Sequence, residues 1–204
     1  MRYRRANTAN ATYFFTVNLA ERNKSLLTEN IDLLRAAMRK VKQRHPFIIE
    51  AMVILPDHLH TLWTLPEGDA DYPMRWSLIK SGFSRMIAKT ERINESRIAR
   101  RERGIWQRRY WEHQIRDETD MQRHIDYIHY NPVKHGYAGQ ASDWPYSSIH
   151  RYIRAVNFPW IGAVNRCLRV ALGNRARVEK NIHPRLLGFM LQPNLHGLVP
   201  AQCR

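Results

Sequence analysis

Residues 51–65 read AMVILPDHLHTLWTL, two apolar runs separated by a proline and an aspartate. Ala51 to Ile54 and Leu59 to Leu65 are rich in β-branched and aromatic residues, and Pro56-Asp57 is turn chemistry, so two adjacent strands are expected. Side chains alternate along a strand, which places His58, His60, Leu62 and Thr64 on one face. Leu59, Thr61, Trp63 and Leu65 take the other face and read as core. At a rise of roughly 3.3 Å per residue, the two imidazoles stand about 7 Å apart and converge on one divalent ion when their rings lean inward. A third ligand must then come from elsewhere. Surface or hydrogen-bonded histidines produce the same pattern, so the pair is not decisive alone.

Working outward, strands are expected near Tyr13 to Leu19, Phe47 to Ile54, His58 to Leu65 and Trp111 to Arg116. Helices are expected over Asp32 to Arg44, where Ile31, Leu34, Met38 and Val41 recur at helical spacing, and over Met74 to Arg92. This order, βαββαβ, is the ferredoxin-like split pattern: an α+β sandwich with helices on one face of an antiparallel sheet. His58 and His60 then lie on a central strand. Asp143 to Arg154 is expected as loop and short helix.

The 204-residue chain, 44% hydrophobic, is long enough for a normal core, and no Gly-, Ser- or Pro-rich break divides it before about residue 160. Residues 1–160 are therefore one expected domain. Residues 161–204 form a basic C-terminal extension containing Pro184, Pro193 and Pro200, expected to be partly disordered or to lie back on the core. No apolar run approaches the ~20 residues that span a bilayer, and the Arg-rich start lacks a signal-peptide core; a cytoplasmic location is expected. Cys167 and Cys203 make neither a metal pattern nor a disulfide framework.

Thr119 to Tyr130 is helical in pattern, with Met121, Ile125 and Ile128 as an apolar stripe to pack on a sheet. Tyr127 and Asn131, at i and i+4, are neighbours on its flank, so docking the stripe turns a phenol and an amide toward one place. Pro132 disfavours α conformation at Asn131, and the helix is expected to end or bend there. Tyr127 equally fits a half-buried aromatic, and Asn131 an N-cap followed by proline. His124, His129 and His135 read as solvated or as contacts to a nucleic-acid backbone.

Charge identifies the class of partner independently. Lys and Arg total 33 against 18 Asp and Glu, a formal net charge of +15. Counterion release makes such an excess suited to nucleic acid. Arg97, Arg100, Arg101, Arg103, Arg108 and Arg109 cluster with Trp106, Tyr110 and Trp111 interleaved. Guanidinium groups beside aromatics suit unpaired strands, although a solvated basic loop has the same composition. Arg2, Arg4 and Arg5 form a second basic cluster, read as an arm on DNA.

His58-Leu59-His60 followed downstream by Tyr-Ile-x-x-Asn-Pro, here Tyr127 to Pro132, resembles the single-tyrosine HUH transposases, and most closely the REP-associated tyrosine transposases of bacteria. Further matching stretches are Tyr13 to Asn18, Leu65 to Asp69, Trp106 to Arg116 and Asp143 to Ser147, so the resemblance spans roughly residues 3 to 160. It implies His58 and His60 as ligands of Mg²⁺ or Mn²⁺, Asn131 as a third polar ligand and Tyr127 as nucleophile on a helix following the sheet. Tyr130 lies on a different azimuth. The implied activity is that of an endonuclease and strand transferase on single-stranded DNA bearing a REP-like hairpin, through a 5′-phosphotyrosine intermediate. Arg4, Arg5, Lys80, Arg103, Trp106, Arg108 and Arg109 are the expected DNA contacts, in a monomer, with a dimer as the alternative, working at the bacterial nucleoid. The alternatives are a metal-dependent phosphodiesterase that activates water, and a hairpin-binding protein that does not cleave.

Overall fold

In the computed structural model, which describes residues 8–89, 91 and 93–156, the two apolar runs form a hairpin. Its strands are β2 (Ile48–Ile54) and β3 (His58–Thr64), and the Leu55 N–H donates to the His58 carbonyl across the turn at 2.8 Å. With β1 (Thr12–Asn18) and β4 (Trp111–Gln114) they make a four-stranded sheet in the order β2-β3-β1-β4, every neighbour antiparallel. The expected α+β ferredoxin-like arrangement is present, with the histidine strand in the interior of the sheet.

One face packs against α2 (Ile31–Arg44) and α3 (Tyr72–Met86), which follow a short α1 (Leu26–Glu29). Tyr13, Phe15, Val17, Leu59 and Trp63 from the sheet meet Leu34, Met38, Val41, Trp76, Ile79 and Phe83 from these helices. Trp63 and Trp76 stack with ring centroids 4.2 Å apart. The start of α3 is set by Asp71, whose carboxylate accepts from the Met74 N–H, with Pro73 in the first turn. Its end comes earlier than the expected Arg92. After Met86, Ile87 is extended, and the Arg103 guanidinium donates to the Ser84, Ile87 and Ala88 carbonyls. A distant arginine thus satisfies the orphan acceptors of the helix end, which no local pattern announces.

The other face is covered by α5 (Glu118–Lys134), so helices flank the sheet on both sides rather than on one. Asp117 caps α5 by accepting from the Asp120 N–H, and Ile125 and Ile128 pack on Phe14, Ala51, Val53 and Leu62. The expected break at Asn131 does not occur: α5 continues through Pro132 to Lys134. Proline lacks only its own N–H, and the following turn is closed by His135 N–H to the Asn131 carbonyl at 3.1 Å and Tyr137 N–H to that of Pro132 at 2.9 Å. Docking of Ile125 and Ile128 on the sheet offsets the lost bond.

After a 3-10 turn at Ala141–Asp143, residues 146–148 run along the outer side of β2, with Ile54 N–H donating to the Tyr146 carbonyl and Ser148 N–H to that of Met52. A last helix, α6 (Ile149–Val156), follows, and a four-residue helix α4 (Glu95–Ile98) lies in the basic stretch. Among the described residues no helix is long and apolar enough to cross a membrane. The C-terminal extension lies outside the described residues.

Candidate active site

Residues 58 and 60 share a sheet face because strand periodicity puts them there, and the register places them beside Asn18 and Thr16 of β1. Both rings are buried, with centroids 4.9 Å apart and planes near perpendicular at 85°. Each is anchored through Nδ1: His58 to Asp57 Oδ1 at 2.6 Å, His60 to Thr16 Oγ1 at 2.9 Å. Asp57 in turn accepts from Arg22 Nε at 2.6 Å. Burial would raise the Asp57 pKa, but hydrogen bonds and charge from His58 and Arg22 outweigh it and hold it at about 2. A carboxylate fixed on Nδ1 is the usual way to present Nε2 of a histidine to a metal.

Tyr127 projects from α5 onto this pair. Its hydroxyl lies 3.4 Å from His60 Nε2, and its ring meets those of His60 and Phe14 edge-on. Burial raises the phenol pKa well above its ordinary range, opposed by a contact with the Asn131 amide and by the Arg22 charge. Burial, with the charge of His58 next, also pushes the His60 pKa well below the usual imidazole value. Lys134 Nζ stands 5.5 Å from the centre of the Tyr127 ring, and His135 lies edge-on to His58 at the rim.

Asn131, one turn beyond Tyr127, is fully buried, and apart from the contact with the Tyr127 phenol neither its Oδ1 nor its Nδ2 has a hydrogen-bond partner. An idle buried amide costs about 1–3 kcal/mol and asks for an explanation. With two anchored imidazoles and an orphaned amide oxygen in one buried site, the residues present fit a divalent cation held by nitrogen and oxygen donors. Asp57→Asn tests the anchoring. It should weaken Mn²⁺ binding by about 10–100-fold while the fold persists, measured by calorimetric titration; an unchanged affinity would show that Asp57 does not position His58.

Residues 7–131 match the family described as "Transposase IS200 like". The chain is 45% identical over 164 residues to the REP-associated tyrosine transposase of Escherichia coli K12, covering 79% of this chain and 92% of that protein. The chain belongs to the REP-associated tyrosine transposases. A Haemophilus influenzae protein provisionally placed in the same group is 49% identical over 158 residues, covering 77% of this chain and 90% of the relative. A REP-associated tyrosine transposase solved with a REP hairpin superposes with a TM-score of 0.66 at 45% identity, covering 80% of this chain and 93% of that one. Members of the family are DNA-cleaving enzymes and are in general metal-dependent.

The basic residues of the 97–109 stretch lie beside α3, which packs on the face of the sheet opposite α5. They line a cleft of about 680 Å³ between α3 and residues 97–110, with Trp76, Trp106 and Tyr110 in its wall and Arg85, Arg100 and Arg101 on its rim. Lys80 Nζ lies 5.1 Å from the centre of the Tyr110 ring and donates to the Gln107 carbonyl at 3.0 Å. Trp106 is buried and donates from Nε1 to the Lys80 carbonyl. Arg103 pairs with Glu91 and the end of α3, Arg108 with Glu102 and Ser96, and Arg109 is exposed. Arg4 and Arg5 lie outside the described residues.

Two of the helix histidines are buried rather than solvated. His129 is fully buried and shares a 2.9 Å hydrogen bond with Ser148 Oγ, and His124 packs on Phe14. Imidazole is compatible with either environment, so its burial was not legible in the pattern. Sequence reasoning also missed Arg22, Asp57 and Thr16 as supports, and a second cluster formed by His113, Asp120 and His124. Asp57 was signalled only by its adjacency to His58, and Arg22 not at all.

Proposed function

We propose that this transposase cleaves and rejoins single-stranded DNA carrying a REP-like hairpin, with Tyr127 as the nucleophile. The observation that carries the reading is the Tyr127 hydroxyl 3.4 Å from His60 Nε2, beside the orphaned amide of Asn131. His58, His60 and Asn131 would hold Mg²⁺ or Mn²⁺, which when bound polarises the scissile phosphate and offsets the charge developing on its oxygens. Tyr127 attacks phosphorus and forms the 5′-phosphotyrosine bond as the bond to the departing 3′-oxygen breaks. The proton lost by the phenol is matched by the one that oxygen takes up, so a 3′-hydroxyl is released. A different 3′-hydroxyl reverses the step and joins strands without an external energy source.

The residues of this chain prepare the step. Phe14 and His60 fix the phenol by packing, burial keeps it protonated until substrate arrives, and Lys134 supplies positive charge nearby. Hairpin DNA as substrate is supported by the related transposase solved with a REP hairpin. The cleft beside α3 has the guanidinium rim and aromatic wall that unpaired nucleotides use.

The test is incubation with a labelled hairpin oligonucleotide. A covalent protein–DNA band should form on a denaturing gel with Mn²⁺ or Mg²⁺ and vanish with EDTA. Free 5′-phosphate without that band would mean that water is the nucleophile, and retention of hairpin binding without any cleavage would reduce the protein to a binder. In the same preparation, alanine at Arg85, Arg100 and Arg101 should flatten the dependence of log affinity on log salt by about 0.7 for each phosphate that is no longer neutralised. An unaltered slope would move the DNA surface elsewhere.

A further inference from the structure

Beyond α5 the chain turns back over the mouth of the catalytic site. Gly136 takes the left-handed conformation, with φ at 73°; its N–H donates to the Val133 carbonyl at 3.0 Å, and the Tyr137 N–H donates to that of Pro132 at 2.9 Å. This is a Schellman closure, in which backbone bonds alone satisfy the last carbonyls of a helix. The side chains it carries are firmly placed yet have no part in the cap. Lys134, His135 and Tyr137 are all exposed, Tyr137 to 44%.

Two of these side chains continue the catalytic pair outward as a row of rings. His135 meets His58 edge-on with centroids 5.2 Å apart, Tyr137 lies 6.0 Å from His135 with planes 24° from parallel, and Trp144 backs Tyr137 at 5.5 Å. Trp144 is itself fixed, donating from Nε1 to the Ile54 carbonyl at 2.9 Å. Burial raises the Tyr137 pKa, with the charge of Asp57 next and that of Arg22 opposing, so this phenol stands within reach of the pair that anchors His58. Lys134 follows Tyr127 by two helical turns, which brings its Nζ to 5.5 Å from the centre of the Tyr127 ring. A cation beside the reacting centre followed by ring upon ring matches the alternation of phosphate and base in an unpaired strand. Capping a helix requires none of it.

We propose that Lys134, His135 and Tyr137 form a stacking platform for the unpaired nucleotides that adjoin the scissile phosphate. Lys134 neutralises a phosphate of that strand, and a base stacks on the exposed rings of His135 and Tyr137, with Trp144 as backing. Nucleotides on the 5′ and 3′ sides of the scissile bond share this chemistry, and the test tells them apart. Trp144 packs with Tyr127 on the α5 face of the sheet, opposite the cleft beside α3, so platform and cleft engage different parts of one DNA molecule. The proposal rests on the reading of hairpin-bearing single-stranded DNA as substrate, not on Tyr127 as nucleophile, and its test leaves that phenol out.

The full chain carrying Tyr127→Phe is titrated with a bare hairpin oligonucleotide and with the same hairpin bearing an unpaired 5′ or 3′ flank, 2-aminopurine being placed at each flank position in turn. Binding should quench the fluorophore in one of the flanks, which identifies the side of the strand that the platform holds. Adding Tyr137→Ala should relieve the quenching and weaken affinity for that flanked hairpin about tenfold, with the bare hairpin bound as before, whereas Tyr137→Phe should keep both. Lys134→Gln should weaken the flanked hairpin alone and flatten its dependence of log affinity on log salt by about 0.7. Circular dichroism confirms the fold of each variant. Quenching in neither flank, quenching and affinity unmoved by Tyr137→Ala, or an equal loss for the bare hairpin would overturn the platform while hairpin binding stands. Failure of the parent to bind any of the oligonucleotides would instead remove the substrate reading on which the platform rests.

Discussion

Tyr127→Phe should eliminate the covalent adduct with hairpin DNA and leave hairpin affinity in place. The expected loss is on the order of 10⁶ in rate, as for removal of the nucleophile in a covalent enzyme, which on a gel means below detection. The substitution removes one oxygen that lies a long 3.4 Å from His60 Nε2 and touches the Asn131 amide, so little packing goes with it. The aromatic contacts with Phe14 and His60 persist, and the thermal midpoint should hold or rise slightly because a buried hydroxyl is gone. Tyr130 forms a small separate cluster with Val133, and Tyr130→Phe should leave the adduct unchanged. The reverse pattern, with the band absent at position 130 and kept at 127, would reassign the nucleophile.

The largest effect on stability is expected at Arg75. Its side chain is almost wholly buried, and it donates to both Asp69 oxygens, to the Asp71 carbonyl within its own helix, and to the His45 and Pro46 carbonyls between α2 and β2. One guanidinium therefore ties the start of α3 to the turn that launches the central hairpin. Arg75→Met keeps similar bulk but strands three backbone carbonyls, at a cost of about 1–3 kcal/mol for each that water does not reach. Asp69→Asn leaves the buried guanidinium without its counter-charge but keeps an amide oxygen for one of its hydrogen bonds and all three backbone carbonyls, so it should cost less than Arg75→Met. Urea unfolding of the two variants separates these outcomes, and equal midpoints would show that Arg75 is not the tie.

Periodicity explains what was legible beforehand. A two-residue repeat places His58 and His60 together whatever the remainder of the sheet does, and an i, i+4 spacing does the same for Tyr127 and Asn131. Their convergence needed only that the apolar stripe of α5 dock on the strand face bearing the histidines. What stayed hidden depends on partners distant in sequence. Arg22 reaches Asp57 across 35 residues, and Arg103 closes α3 from 19 residues beyond Ser84. The basic stretch looked uniform, yet Arg97, Arg103 and Arg108 hold the loop together while Arg100 and Arg101 face the cleft rim. Composition reports that charge is present, not which of it is already engaged. The end of α5 was misjudged for a related reason: local proline sterics were outweighed by docking of the helix on the sheet and by the bonds that His135 and Tyr137 donate past Pro132.

The placement of Tyr127 and Asn131 one turn apart on α5 has a mechanical corollary. A single unbroken rod carries both the phenol and the amide, so on the reading proposed above a DNA end attached to position 127 stays in step with position 131. Swinging that end toward a new junction would pull the amide off its ion. On that reading, strand exchange is served by bringing the incoming 3′ terminus to a stationary intermediate, with the travelling done by nucleic acid.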